Sequence, residues 1–252
     1  MKKILILAVI LSPLTVHLSP CRASGFGDSL VVKARAAYSL GGTAPLGLPA
    51  SIRSIDAFRL SPSLSVGAEV GLPLDDTWGF SAGLRLGNKG MDAEITVKSY
   101  RMEMRQGNSY FSGLFTGHVK QEVTQWMLTL PLQATCRLDE KQTLKAGPYV
   151  SLLLSKGFRG IAYDGYIRQG DPTGPRIDIG STEADWATYD FSDSMRSLQW
   201  GVTVGLDWQL SRRLGLSADL NWGLSGLFQS SFTTVEQTLY PIYGTLGLFY
   251  QL

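Results

Sequence analysis

Apolar and polar residues alternate along most of this chain in runs of about ten, the sequence form of a strand with two unlike faces. In 64–72, Leu64, Val66, Ala68, Val70 and Leu72 share one face, while Ser65, Gly67, Glu69 and Gly71 share the other. The next run sets Trp78, Phe80, Ala82, Leu84 and Leu86 against Ser81, Gly83, Arg85 and Gly87. A third alternates from Trp126 through Leu128, Leu130, Leu132, Ala134 and Cys136 to Leu138, a fourth from Leu198 to Leu210, and a fifth from Leu214 to Leu224. Weaker runs occupy 29–40, 143–156 and the C-terminal stretch ending Leu246, Leu248, Tyr250, Leu252. These runs predict an all-β fold of eight antiparallel strands.

Alternation alone also fits a soluble barrel closed around a ligand. The two cases differ in what each face carries. Here the polar face is mostly Gly, Ser and Thr, which suits the cramped interior of an eight-stranded barrel. The other face is large, apolar and almost free of charge, as lipid contact requires. The expectation is an eight-stranded antiparallel up-and-down transmembrane β-barrel.

Connections alternate in length. Short turns fall at 75–77, 139–142 and 211–213, and long connections at 41–60, 88–118, 157–197 and 226–240. Barrels of the outer membrane have short periplasmic turns and long extracellular loops, so both termini are expected in the periplasm. That orientation puts Trp78, Phe80, Trp208 and Tyr250 near the periplasmic rim. It puts Tyr38, Trp126, Phe158, Trp200 and Tyr240 near the outer rim, giving two aromatic belts. Trp222 reads as a mid-strand exception. Residues 100–110 suggest that the third and fourth strands run on beyond the bilayer as a hairpin.

The first residues carry a different pattern. Lys2 and Lys3 precede an apolar stretch at 4–11, Ser12 and Pro13 break it, and the small Ala23 and Ser24 suit cleavage. This is the form of a secretory signal peptide over 1–23, leaving a barrel domain over 24–252. The apolar stretch is too short for a spanning helix. Lipidation at Cys21 is disfavoured by Pro20 before it. Once Cys21 has left with the signal, Cys136 stands alone, so neither a disulfide nor a Cys zinc site is expected. Of the 252 residues 17% are charged, 28 are Gly and the formal net charge is +2. No basic stripe marks a nucleic-acid partner.

The stretches 83–90, 128–138 and 145–157 carry a family resemblance. With the signal peptide, they resemble the small outer-membrane β-barrel family that includes PorT-like proteins. In that family a strand with a central Pro is followed by a short turn and a Gly-Pro strand opening; Pro131, Gly147 and Pro148 match those places. The resemblance implies a barrel rather than a reaction. At the C-terminus, Thr245, Gly247, Tyr250 and Leu252 resemble the signal read by the barrel-assembly machinery, which implies that partner along with outer-membrane lipid.

Candidate chemistry is sparse. His118 is the one histidine beyond the signal. Ser109, Ser112 and Glu122 are near it in sequence, but a lone His has no spacing that demands catalysis, and it reads as a solvated loop residue. The stretch 157–197 holds Tyr163, Asp164, Tyr166, Asp171, Asp178, Asp185, Trp186, Tyr189, Asp190 and Asp193. It reads as a polar, mobile loop, with a binding surface or calcium site as the alternative. Lys33, Arg35, Glu69, Arg85, Arg137, Lys145, Asp207 and Asp219 share the inner face and are expected to pair and plug the barrel. No catalytic residue, cofactor or metal is expected. The expected role is structural or interactive, possible partners being an extracellular or secretion-system protein. A barrel enzyme acting on lipid or peptide, and a narrow pore, are the alternatives.

Overall fold

The computed structural model describes residues 30–45, 49–232, 234 and 238–252. The predicted signal segment and its cleavage site lie outside the described residues. Eleven strands are present among those described. They are β1 (Val31–Pro45), β2 (Ile52–Leu60), β3 (Ser63–Pro73), β4 (Trp78–Gln106), β5 (Ser109–Arg137), β6 (Gln142–Gln169), β7 (Arg176–Ile179), β8 (Ala187–Asp190), β9 (Leu198–Gln209), β10 (Leu214–Gly223) and β11 (Leu239–Gln251). Eight of them close a ring of antiparallel pairs in the order β1, β3, β4, β5, β6, β9, β10, β11 and back to β1. The predicted barrel is therefore present, and each of its strands contains one of the alternating runs.

The faces follow the alternation. Leu64, Val66, Trp78, Phe80, Leu84, Leu132, Val204 and Leu246 are exposed on the outside, while Arg35, Glu69, Ser81, Lys145, Thr203 and Asp219 are buried inside. A membrane barrel inverts the usual rule in this way because its solvent is hydrocarbon. Trp78, Phe80, Trp208 and Tyr250 stand out at one end, and Tyr38, Trp126 and Trp200 at the other. Trp222 is not an exception: β10 ends at Gly223, so this ring sits beside Val202 and joins Trp200 in the belt.

At the end with the short turns, β3–β4, β5–β6 and β9–β10 join as predicted. The other end, here the extended end, departs from the sequence reading. The stretch 88–118 is not a long loop, but the hairpin expected at 100–110 is present. β4 and β5 stay paired to Gln106 and Ser109, where Gly107 at φ +56° makes the two-residue turn. β6 follows β5 as far as Gln169. The stretch 157–197 is equally ordered: β7 and β8 pair with β6, and β8 also meets β4 at Arg105 and Thr188. β2, predicted as loop, lies along β4.

Three adjacent strands bend at one level. The register shifts between Val97 and Tyr100 on β4 and between Thr116 and His118 on β5. Ser99 and Asp164 adopt φ +54° and +45°, and Gly117 lies at φ +152°. Bulges in β4 and in β6, on either side of β5, fold the sheet along a crease. Gly117 and Gly165 pack backbone to backbone there, against the ring of Phe115, so neither position has room for a side chain.

Beyond the crease the strands enclose an apolar core. It contains Met102, Met104, Phe115, Ile167, Ile179 and Ala187 and continues down into the barrel through Val119, Val123, Phe158, Met195, Leu227 and Phe228. Phe158 is thus buried rather than part of the outer belt. An extra residue in β6 opposite Trp126 and Met127 shifts the register, pairing Trp126 with Ser155 and Met127 with Leu153. From there on the parity of β6 is inverted, and Phe158 turns inward.

Candidate functional site

Two clusters carry the polar chemistry. The first fills the lumen. Arg35 on β1 pairs with Glu69 on β3 at 2.8 Å and also reaches Asp207 on β9. Asp207 also accepts from Lys33 at 3.0 Å and forms an ion pair with Lys145 on β6 at 2.8 Å. Arg85 on β4 lies 3.1 Å from Asp219 on β10 and 3.4 Å from Glu69. Four cations thus meet three carboxylates, and the ring of Phe249 on β11 covers the surplus, with the Lys33 ammonium 4.6 Å from its centroid. Nearer the extended end, Lys89 lies 4.5 Å from the centre of the Tyr243 ring and 6.0 Å from that of Tyr149. The apolar core follows. On the other side, toward the turns, an open vestibule of about 520 Å³ is bordered by Asp75, Lys141, Asp207 and Arg212.

Seven of the eight predicted inner charges meet in this plug. Arg137 does not: it is exposed and borders the vestibule. It is the last residue of β5, past the point where the neighbouring strands can cover it.

The second cluster sits just below the crease, on the outer surface. Thr96 on β4, His118 on β5 and Tyr163 on β6 are consecutive cross-strand neighbours. The Thr96 hydroxyl donates to Asp56 of β2 at 2.6 Å and lies 3.1 Å from Nδ1 of His118. With the hydroxyl proton on the carboxylate, Thr96 accepts from Nδ1–H, which leaves Nε2 of His118 as the acceptor nitrogen. Nδ1 is also 3.7 Å from Asp56. Ser54 donates to the same carboxylate at 2.6 Å, and the Ser54 and Thr96 hydroxyls together hold Asp56 below the usual carboxylate range. Tyr163 stacks on His118 with ring centres 5.5 Å apart and is followed by Trp186 at 5.9 Å. The Tyr163 hydroxyl donates to Glu94, and burial first, then that carboxylate, pushes its pKa up to about 12.

The structure therefore gives His118 partners other than those its sequence neighbours offered. Ser109 and Ser112 pair with Gln106 and Glu103 near the hairpin tip, and Glu122 pairs with Asp92. His118 is half-buried on a strand, not a solvated loop residue. Asp56 and Glu94 were not foreseen. One signal was available: Met91, Ala93, Ile95 and Val97 alternate with Asp92, Glu94 and Thr96, carrying the strand period well past 88. Of the carboxylates in 157–197, Asp190 pairs with Arg159 and Asp178 with Arg176. Among the described residues no three metal-ligating side chains converge.

The outer membrane protein beta-barrel domain family matches residues 26–229 of the sequence. The chain belongs to that family. Its place is accordingly the outer membrane. No curated protein matches it in sequence. Members of several solved barrel structures resemble it in fold. Ail, the attachment invasion locus protein of Yersinia pestis, is 8% identical, with a TM-score of 0.37 over 88% of this chain and 97% of that one. Neisserial surface protein A is 12% identical, with a TM-score of 0.35 over 89% and 97%. The outer membrane protease OmpT of Escherichia coli is 11% identical, with a TM-score of 0.34 over 88% and 95%.

Proposed function

We propose that this outer-membrane barrel is a closed scaffold whose task is interaction, with both termini in the periplasm and the extended end presented to the cell exterior. The observation that carries this reading is the contrast between its two ends. The lumen is packed with ion pairs and then with apolar side chains, while the strands beyond the crease are built into a folded cap around the upper part of that apolar core. A packed core in place of mobile loops is the way to hold a recognition surface in one shape. Adhesion, envelope integrity or membership of a secretion apparatus are the roles such a cap serves. The likeness of Pro131, Gly147 and Pro148 to PorT-like proteins favours the last, and Thr245, Gly247, Tyr250 and Leu252 present the assembly machinery with its C-terminal strand.

Cross-linking in native outer membranes tests the reading. The intact protein is expected to capture a protein partner, and a variant with 98–116 replaced by a short turn is expected to insert but lose it. In planar bilayers the purified protein is expected to show no conductance steps. Discrete openings, or capture that survives loss of the hairpin, would refute the proposal.

The alternative, hydrolysis of lipid or peptide, draws on one feature: His118 has Nδ1 tethered through Thr96 to Asp56 and Nε2 available as a base. Under the scaffold reading, His118→Ala leaves lipid A structure and surface peptide processing unchanged in whole-cell mass spectra. A lost product in that variant would instead make the protein an enzyme.

A further inference from the structure

The cluster below the crease has a composition that neither the plug nor the cap core explains. His118, Tyr163 and Trp186 form a row of rings across three segments of chain. The carboxylates of Asp56 and Glu94 flank the row, with the hydroxyls of Thr96 and Tyr163 bound to them. Trp186 is half-buried beside Tyr163, with its indole nitrogen turned away from solvent. We propose that this strip binds a neutral oligosaccharide, supplied by the lipopolysaccharide that surrounds the barrel.

Sugars present two kinds of surface, apolar C–H faces and rims of hydroxyls. Aromatic rings suit the first. Carboxylates, which accept hydrogen bonds only, suit the second. The acceptors here are held in place: Asp56 by Ser54 and Thr96, Glu94 by Tyr163. The two carboxylates disfavour a phosphate against the rings themselves, which points to a neutral hexose chain there, while Lys120, cross-strand from Glu94, stands at the edge of the strip.

Position selects the source. His118, Lys120, Glu122 and Thr124 continue the outward face of Trp126 along β5. From Trp126 to His118 the strand advances roughly 25 Å, which takes the cluster beyond the apolar band. It lies on the side wall and not at the hairpin tip. What packs against that wall above an outer leaflet is the saccharide of neighbouring lipids. This rests on the proposed orientation, with the extended end outside the cell.

The test is saturation-transfer NMR on the full protein in lipid nanodiscs. One probe is the neutral hexose oligosaccharide released from the outer core of lipopolysaccharide; the other is its phosphorylated inner core. Transfer to the hexose ring protons is expected. Tyr163→Ala and the shape-conserving Asp56→Asn are each expected to weaken binding at least tenfold, and Tyr110→Ala at the hairpin tip to leave it unchanged. Absence of transfer, equal binding by both site variants, or preference for the phosphorylated probe would overturn the proposal. In parallel, Gly107→Cys in a Cys136→Ala background is labelled on intact cells with an impermeant maleimide. A labelled tip without sugar binding refutes the sugar site alone. An unlabelled tip refutes the orientation beneath both proposals.

Discussion

Asp207→Ala is expected to cost the barrel about 3–5 kcal/mol, because it strands cations in a place where they cannot be hydrated as in bulk water. Asp207 holds Lys145 at 2.8 Å and Lys33 at 3.0 Å and also binds Arg35. Its side chain and that of Lys145 are 2% and 1% exposed. With Asp207 gone, Glu69 and Asp219 are left to neutralise four cations, from greater distances: Lys145 is 3.7 Å from Glu69 and 3.8 Å from Asp219. The effect belongs to the imbalance and not to the loss of an attraction. The double variant Asp207→Leu with Lys145→Met, which removes one charge of each sign, is therefore expected to recover most of the loss. Urea unfolding from lipid vesicles, followed by the gel-mobility difference between folded and heated barrel, measures both. If the single variant loses under about 1 kcal/mol, the cluster is hydrated and the lumen is not sealed.

Phe158→Ala is expected to cost a similar amount, about 3–5 kcal/mol, but in a different part of the molecule. Phe158 is 2% exposed and stands where the apolar core passes from the cap into the barrel. Its ring meets Phe228 edge-on at 4.8 Å and lies 6.1 Å from Phe191 and 6.4 Å from Tyr189. Its backbone is tied to the same segment, accepting from the amide of Phe191 at 2.8 Å and donating to the hydroxyl of Ser192 at 3.0 Å. The cavity left by the ring would loosen 187–195 and the stretch around Leu227 and Phe228. The eight-stranded ring beneath is held by its own hydrogen-bond ladders. Limited proteolysis should thus show new cleavage within 170–197 while the barrel keeps its heat-modifiable mobility. Loss of barrel and cap together would mean that they are a single cooperative unit.

These two sites differ in how visible they were in the sequence. Lys33, Arg35, Glu69, Lys145, Asp207 and Asp219 all fall on the polar side of a clean alternation, so their convergence inside a narrow barrel could be read directly. Phe158 has no such signature. Its neighbours on β6 obey the alternation up to Leu154, and continuing that count places it outside. Only the residue inserted opposite Trp126 and Met127 reverses the count. A bulge is decided by the fit between two strands, and period-two reading of one strand is blind to it. The grouping of His118 with Asp56 was hidden for a related reason, since β2 reaches β4 by long-range pairing that no local pattern announces.

The sequence by itself determined the barrel: its strand number, the short turns, the lipid-facing side of each strand and the charges that plug it. These follow from alternation and hydropathy, which act residue by residue wherever one face meets hydrocarbon and the other a cramped interior. Beyond the membrane the sequence disclosed the hairpin of β4 and β5, and the tertiary structure decided the rest. There the environment no longer distinguishes the two faces, and contacts between distant segments take over. Bulges in β4 and β6 align into one crease across β5, Met102, Phe115 and Ile167 gather within the cap, and Asp56, Thr96, His118 and Tyr163 come together just below the crease.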